Sequence, residues 1–231
     1  MTRLSIIVPV YNEQATIIPI LEAVSAQQIP SVELETIVIN DGSTDHTAAR
    51  IEERPELYVK FVNLTQNGGK GAAVKAGLAA ASGEFILFQD ADLEYSPSEY
   101  AKLMAPVLEY DADLVIGSRF IAPQCTRVFY FWNKVGNRLI TLVFNLLNNT
   151  TFTDIYSCYL LYRRELVPVD QLRTEGWEQH AEILSLATSK GTSLFEVPIS
   201  YLGRTFEEGK KIRAWHAILV LLTIFRCRLF R

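Results

Sequence analysis

The chain has 231 residues, enough for one sizeable core with an appendage but too few for two domains of ordinary size. A net charge of −4 with 21% charged residues gives no basic excess of the kind nucleic acid requires. Three widely spaced cysteines, Cys125, Cys158 and Cys227, are odd in number and lack a Cys-x-x-Cys pair. They argue against a disulfide framework and a structural zinc site, and for a reducing cytoplasmic compartment.

The N-terminal apolar run, residues 5–10, is six residues long and soon meets Glu13, so it reads as a strand rather than a signal peptide or anchor. Four more short β-branched or apolar runs follow, at residues 34–40, 59–64, 84–88 and 114–117. Continuous runs such as Ile6-Ile7-Val8 and Ile37-Val38-Ile39 suit strands covered on both faces. Helical stretches fill the gaps at 16–27, 44–54, 71–81 and 97–109. This alternation predicts an α/β domain with a mostly parallel sheet between two layers of helices.

Ligands collect at the carboxyl ends of such strands, and each predicted strand ends in a polar cluster. Tyr11-Asn12-Glu13 follows the first, Asp41-Gly42-Ser43-Thr44-Asp45 the second and Asn67-Gly68-Gly69-Lys70-Gly71 the third. Gln89-Asp90-Ala91-Asp92 follows the fourth and Ser118-Arg119 the fifth. Asp90 and Asp92, two apart in an extended or turning segment, can face one way and share a hard cation with a diphosphate. An isolated Asp-x-Asp is equally often a helix cap, but here it ends a buried strand beside four other polar loops.

Gly42 permits a turn, and Ser43 or Thr44 can cap the next helix, which leaves Asp41 unexplained by local structure. An acid there can accept from a ribose hydroxyl or a base N–H, and Glu13 can serve in the same way or as a first-turn helix acid. The glycine run at 67–71 lacks the spacing of a phosphate-binding P-loop and alone is a weak signal.

Further on, residues 128–147 set Asn133, Asn137, Thr141 and Asn145 four apart on a narrow polar stripe of an otherwise apolar helix. Such a helix either sits in the core with its asparagines satisfied, or lies at a membrane face and guides a lipid toward the site. The last 31 residues, 201–231, carry seven Lys or Arg against Glu207 and Glu208 and include the apolar stretch 214–225. At about 12 residues it is short of the ~18–20 that span a bilayer, so an amphipathic extension at a membrane surface or a homodimer contact is expected.

Together, residues 5–13, Asp41-Gly42-Ser43-Thr44-Asp45, Asn67-Gly68-Gly69-Lys70-Gly71 and Asp90-Ala91-Asp92 resemble family 2 glycosyltransferases of the GT-A fold. Gly117-Ser118-Arg119, Thr153-Asp154, Cys158-Tyr159, Val197-Pro198-Ile199, Arg204 and Glu208-Gly209-Lys210-Lys211 extend the resemblance over nearly the whole chain. These later pieces look like the polyprenyl-phosphate (dolichol-phosphate) mannosyl- and glucosyltransferase branch.

The resemblance implies inverting transfer of a hexose from a UDP- or GDP-sugar to a polyprenyl phosphate, with residues 1–200 as the GT-A domain. Within it, residues 1–119 form the donor half and 120–200 the acceptor half, followed by the basic segment 201–231. It puts Pro9, Tyr11, Glu13, Asp41 and Ala91 around the nucleotide, and Mg²⁺ or Mn²⁺ on Asp90 and Asp92. Glu94, where the branch often has Gln, is offered as a third ligand. Arg119, Arg204 and Lys210 would approach the donor's phosphates or sugar. Where the branch has a basic residue after the Asp154 motif, this chain has Leu160, with Arg163 and Arg164 close by.

A nucleoside diphosphate leaves without a general acid, and an ionised phosphate acceptor attacks without a base. A hydroxyl acceptor would need one, for which Glu182 and Asp154 are the candidates. Two rival expectations are a family member with a glycan or small-molecule hydroxyl acceptor, and a nucleotide-sugar-binding protein without turnover. The expected location is peripheral, on the cytoplasmic face of a membrane.

Overall fold

A computed structural model describes residues 1–121, 127, 130–204 and 216–229. Its centre is one seven-stranded sheet in the order β3-β2-β1-β4-β6-β5-β7. The strands are β1 (Thr2–Val10), β2 (Val32–Asn40), β3 (Lys60–Asn63), β4 (Phe85–Phe88), β5 (Leu114–Ser118), β6 (Leu160–Arg163) and β7 (Leu194–Pro198). All pairings are parallel except those of β6, which runs against β4 on one side and β5 on the other. The α/β architecture read from the sequence is therefore present, with one reversed strand.

The helices are α1 (Ile17–Ser25), α2 (Thr47–Glu52), α3 (Lys70–Ala80), α4 (Tyr100–Tyr110), α5 (Phe131–Asn148), α6 (Gln179–Lys190) and α7 (His216–Leu229). The β1 and β2 runs pair in register, Ile7 beside Ile37 and Val8 beside Val38, and all four side chains are fully buried. Burial of each such side chain contributes roughly 1.5–3 kcal/mol, so these strands form the floor of the core.

The chain runs outward from β1 through β2 to β3 and then returns to the other side of β1 as β4. That reversal opens a crevice between the carboxyl ends of β1 and β4, where doubly wound sheets bind ligands. It brings the segment after Val10 beside the segment after Phe88.

Local chemistry moves two boundaries. The second helix begins at Thr47 instead of residue 44, because Asp45 Oδ1 accepts the Thr47 N–H at 2.9 Å. Ser43 and Thr44 do not cap it. The Ser43 hydroxyl accepts the Asn12 N–H at 3.0 Å, and the Thr44 N–H donates to Asn12 Oδ1 at 2.8 Å, tying the two loops together. The fourth helix opens as a 3-10 turn, Pro97–Glu99, before α4.

Strands β6 and β7 and helix α6 lie outside the sequence expectations. In α6 Gln179 and every residue from Ala181 to Thr188 are buried, so no polar face gives it a helical period.

Candidate active site

One cavity of about 630 Å³ opens at the carboxyl ends of the strands. Pro9, Tyr11, Glu13, Asp41, Asp90, Ala91, Asp92, Glu94, Arg119 and Arg204 all line it. Lys210 lies outside the described residues. The volume is within the roughly 300–1,000 Å³ usual for small-molecule sites.

The acidic segment is held from beneath by Gln89, which is fully buried. Its Oε1 accepts the hydroxyls of Tyr100 at 2.7 Å and Tyr159 at 2.8 Å, and its amide N–H donates to the Asp90 carbonyl at 2.9 Å. Leu93 follows with φ of 63°, a left-handed conformation costly for a bulky side chain. This turn lets the Glu94 N–H donate to Asp92 Oδ1 at 3.1 Å, which fixes the Asp92 carboxylate toward the cavity.

Two cations answer the acidic pair. Lys70, first residue of α3, donates to Asp90 Oδ1 at 2.5 Å, and its ammonium sits 5.3 Å from the centre of the Trp177 ring. Burial opposes ionisation of both groups, but their mutual attraction prevails and holds the Asp90 carboxyl below its usual value and the Lys70 ammonium above. Arg204 reaches Asp92 Oδ2 at 2.8 Å, Glu94 Oε1 at 3.2 Å and Glu13 Oε1 at 3.3 Å. Even so, burial and then the Asp90 and Glu94 charges push the Asp92 carboxyl up to about 7.

Two close carboxylates with one so raised are an electrostatic conflict that a hard cation relieves, and their oxygens suit Mg²⁺ or Mn²⁺. Glu94 is placed differently. Its Oε2 accepts the Tyr201 hydroxyl at 2.6 Å and its Oε1 the Arg204 N–H at 2.9 Å, so it anchors Arg204. Among the described residues no group of three or more His, Cys, Asp or Glu is arranged as a metal cage. The two carboxylates Asp90 and Asp92 are the residues here whose chemistry would fit such a cation.

Asp41 is almost fully buried, and its two oxygens accept the N–H groups of Gly68 at 2.9 Å and Gly69 at 3.0 Å. It shapes the glycine loop, while each oxygen keeps a lone pair for a ligand. Past that loop the Gly71 N–H donates to the Glu175 carbonyl at 2.7 Å, and a Cβ on Gly71 would lie 2.5 Å from the Glu175 backbone. Glycine is needed there so that the segment 173–178 can lie across the start of α3.

Arg119 is bound by Asp154, Nε to Oδ2 at 2.7 Å and Nη2 to Oδ1 at 2.8 Å, with Asp154 fully buried. Glu182 is also fully buried and accepts the Thr174 N–H at 2.8 Å, the Thr174 hydroxyl at 2.6 Å and the Arg173 N–H at 3.0 Å. Neither carboxylate lines the cavity, which corrects the reading of either as a base for a hydroxyl acceptor.

On α5 the polar stripe divides. Asn133 and Asn137 line the cavity, Thr141 is buried, and Asn145 is satisfied by the Phe152 backbone and the Thr150 hydroxyl. The other side of α5 exposes Phe131, Leu139, Leu142 and Leu146, and α7, packed beside it, exposes Ile218, Leu222, Phe225 and Leu229. Helix α5 thus buries Ile140, Thr141 and Phe144 and exposes its opposite side. No described helix is long and apolar enough to cross a membrane.

Lys70, Tyr156, Trp177, Gln179, His180 and Tyr201 also line the cavity and were absent from the sequence-derived site. Only Lys70 carried a signal, as part of the glycine-rich motif.

Residues 5–168 match Glycosyl transferase family 2. The undecaprenyl-phosphate 4-deoxy-4-formamido-L-arabinose transferase of Proteus mirabilis is 28% identical over 217 residues, 91% of this chain and 63% of that protein. The dolichol-phosphate mannosyltransferase of Pyrococcus furiosus is 27% identical over 211 residues, 90% of this chain and 59% of that one. The chain thus spans about three-fifths of the length of these curated relatives.

Among solved structures, glucosyl-3-phosphoglycerate synthase from Mycobacterium tuberculosis with Mn²⁺, UDP and glucosyl-3-phosphoglycerate superimposes with a TM-score of 0.72. It is 22% identical and covers 98% of this chain and 80% of its own, a likeness of fold. A second structure of that synthase, with Mg²⁺ and UDP, gives 0.70 at 21% identity, covering 98% and 79%. The chain belongs to glycosyl transferase family 2, on a GT-A fold, and is related to polyprenyl-phosphate sugar transferases.

Proposed function

We propose that this chain transfers a hexose, with inversion, from a UDP- or GDP-sugar to a polyprenyl phosphate, using Mg²⁺ or Mn²⁺ held by Asp90 and Asp92. The carrying observation is the acidic pair at the end of β4, which faces one cavity with Arg204 and Lys70 poised on it. When bound, the cation supplies positive charge to the donor's diphosphate. Arg204 and Lys70 add charge from either side as the diphosphate departs, so no residue is required to protonate it. Pro9, Tyr11, Glu13, Asp41 and the backbone at Ala91 surround the nucleotide.

The acceptor assignment rests on what the cavity lacks and what flanks it. Among the described residues lining it, Glu13 and Glu94 are engaged by Arg204, Asp41 by the glycine loop, and Asp90 and Asp92 by the two cations. A hydroxyl acceptor finds no uncommitted carboxylate there, whereas a phosphate is already ionised. Beside the cavity, α5 and α7 expose the apolar faces a lipid acceptor needs, which favours peripheral attachment at the cytoplasmic face of a membrane. The Proteus mirabilis and Pyrococcus furiosus relatives, named for undecaprenyl and dolichol phosphates, agree with it.

The test pairs calorimetry with turnover. UDP and GDP are titrated with Mn²⁺ into the wild type and Asp92→Asn, and transfer to undecaprenyl phosphate is followed in detergent with UDP- and GDP-sugars. The variant should keep its fold and lose both metal-dependent nucleotide binding and transfer; unchanged turnover refutes the metal assignment.

A further inference from the structure

We propose that Glu196, on β7, is a positioning residue for Arg119: it holds the Thr153-Asp154 turn in place, so that Asp154 can fix Arg119 at the cavity wall. The inference rests on the reading of that cavity as the transfer site.

Residues 152–155 belong to no helix or strand, yet each of their backbone N–H groups is taken by a side chain from a neighbouring element. On α5, Asn145 Oδ1 accepts the Phe152 N–H at 3.1 Å and the Thr141 hydroxyl accepts that of Ile155 at 3.5 Å. Between them Glu196 takes two in succession. The Thr153 nitrogen lies 2.8 and 2.9 Å from its two oxygens, and the Asp154 nitrogen 3.2 Å from Oε1. An ionised carboxylate only accepts, and N–H bonds to it are stronger than those to a neutral oxygen. Glu196 is thus a charged anchor for a turn that no strand ladder or helix holds.

The register of the sheet puts this anchor where Arg119 begins. Strand β7 pairs with β5 so that Glu196 lies beside Ile116 and Pro198 beside Ser118, the residue before Arg119. The Ser118 and Thr153 hydroxyls are 2.6 Å apart, so the turn is tied to the end of β5 as well. Asp154, fully buried on that turn, accepts the Arg119 backbone N–H, Nε and Nη2. The guanidinium carbon lies 5.1 Å from the Tyr201 ring centre and 5.7 Å from that of Phe120. Nε and Nη2 are spent on Asp154 and the Tyr156 carbonyl, which leaves Nη1 as the donor for a ligand in the cavity that Arg119 lines.

Glu196 itself does not line the cavity, so what it contributes to transfer passes through Asp154 and Arg119. Misplacement of a site group by about 1 Å can cost on the order of a hundred-fold in rate, so a turn released at Thr153 is felt at Arg119.

The test pairs spectroscopy with a double-mutant cycle. In isotope-labelled protein the Arg119 Nε–H resonance, assigned by its loss when Arg119→Met is combined with Asp154→Leu, reports the bond to Asp154. It should keep its position in Glu196→Gln, where Oε1 still accepts, and move or broaden in Glu196→Ala. Transfer from UDP-glucose and GDP-mannose to undecaprenyl phosphate is followed in detergent with Mn²⁺, well below each variant's melting point. Glu196→Ala should lower kcat/KM at least about ten-fold, the scale of a lost charge-assisted hydrogen bond, and Glu196→Gln less than about three-fold. In the background of Arg119→Met with Asp154→Leu, Glu196→Ala should cost less than about two-fold, because the group it positions is gone. A resonance unmoved in Glu196→Ala overturns the inference. So does an equal loss of transfer with and without Arg119, which would make Glu196 a support of the fold alone. Full transfer by the Arg119→Met, Asp154→Leu protein would overturn the reading of Arg119 as a site residue, and this inference with it.

Discussion

Asp154→Asn tests whether Arg119 is presented to the cavity by a buried counter-ion. The wild-type carboxylate is fully buried and Arg119 is 12% exposed, with two charge-assisted contacts at 2.7 and 2.8 Å and a third from the Arg119 N–H at 3.1 Å. Removing one member of such a pair costs about 3–5 kcal/mol, because the other is left buried and unmatched. Arg119 keeps its bond to the Tyr156 carbonyl at 3.2 Å and its position 5.1 Å from the Tyr201 ring centre, which brings the loss to about 2–4 kcal/mol. For a domain of this size, about 2–4 °C per kcal/mol gives a melting point lower by about 4–16 °C. Differential scanning calorimetry at pH 7 reads the shift directly. Replacing both partners, Arg119→Met with Asp154→Leu, should recover at least half of the lost stability, since neither charge then stays buried alone. Transfer should not return with it, because Arg119 faces the cavity. A shift smaller than about 2 °C in Asp154→Asn would refute the reasoning.

Glu35 predicts an acid-labile fold. Burial raises its carboxyl, but donors from Ser5, Ser82 and Lys60 outweigh it and lower it to about 2. A carboxyl lowered by folding stabilises fully above its ordinary 4.5, and the stabilisation disappears as pH falls toward 2. The gap corresponds to about 3 kcal/mol, which the exposed Lys60 reduces to about 2. Melting curves between pH 5 and 2 should therefore fall more steeply for the wild type than for Glu35→Gln, and parallel curves would remove the assignment. On α5, Leu142→Glu with Leu146→Glu alters only exposed positions, so stability should change by less than about 1 kcal/mol. Co-sedimentation with anionic vesicles should drop at least about ten-fold, and undiminished binding would place the membrane contact elsewhere.

The donor half was legible because its signals were local. Continuous apolar runs marked β1, β2 and β4, and each was followed by a polar cluster that the parallel topology brings to one edge. The reversed strand was not legible: Leu160–Arg163 is a four-residue run with no hairpin turn beside it, and its partners are distant in sequence. Helix α6 was hidden by burial on all sides, and with it went Gln179 and His180. Asp154 and Glu182 looked like free acids because composition does not tell a reactive carboxylate from one enclosed by N–H donors. The bond from the Thr47 N–H to Asp45 at the start of α2 escaped for a related reason. Ser43 and Thr44 are equally good caps by type, and only the approach of the Asn12 loop engages them elsewhere.

The charge around the cavity bears on the metal more strongly than the Asp-x-Asp spacing does. Its described lining holds five acids, Glu13, Asp41, Asp90, Asp92 and Glu94, against three bases, Lys70, Arg119 and Arg204, a formal difference of −2. Arg119 is neutralised from behind by Asp154, which leaves two cations for five carboxylates. A nucleoside diphosphate entering that field unaccompanied would meet net repulsion, and removing Arg204 or Lys70 from the acids to greet it would only expose more negative charge. The conflict disappears if a divalent cation takes their place on Asp90 and Asp92. Lys70 and Arg204 would then be free to face the phosphates. The two ion pairs seen here thus occupy the positions where donor and cation together would exchange partners with the protein.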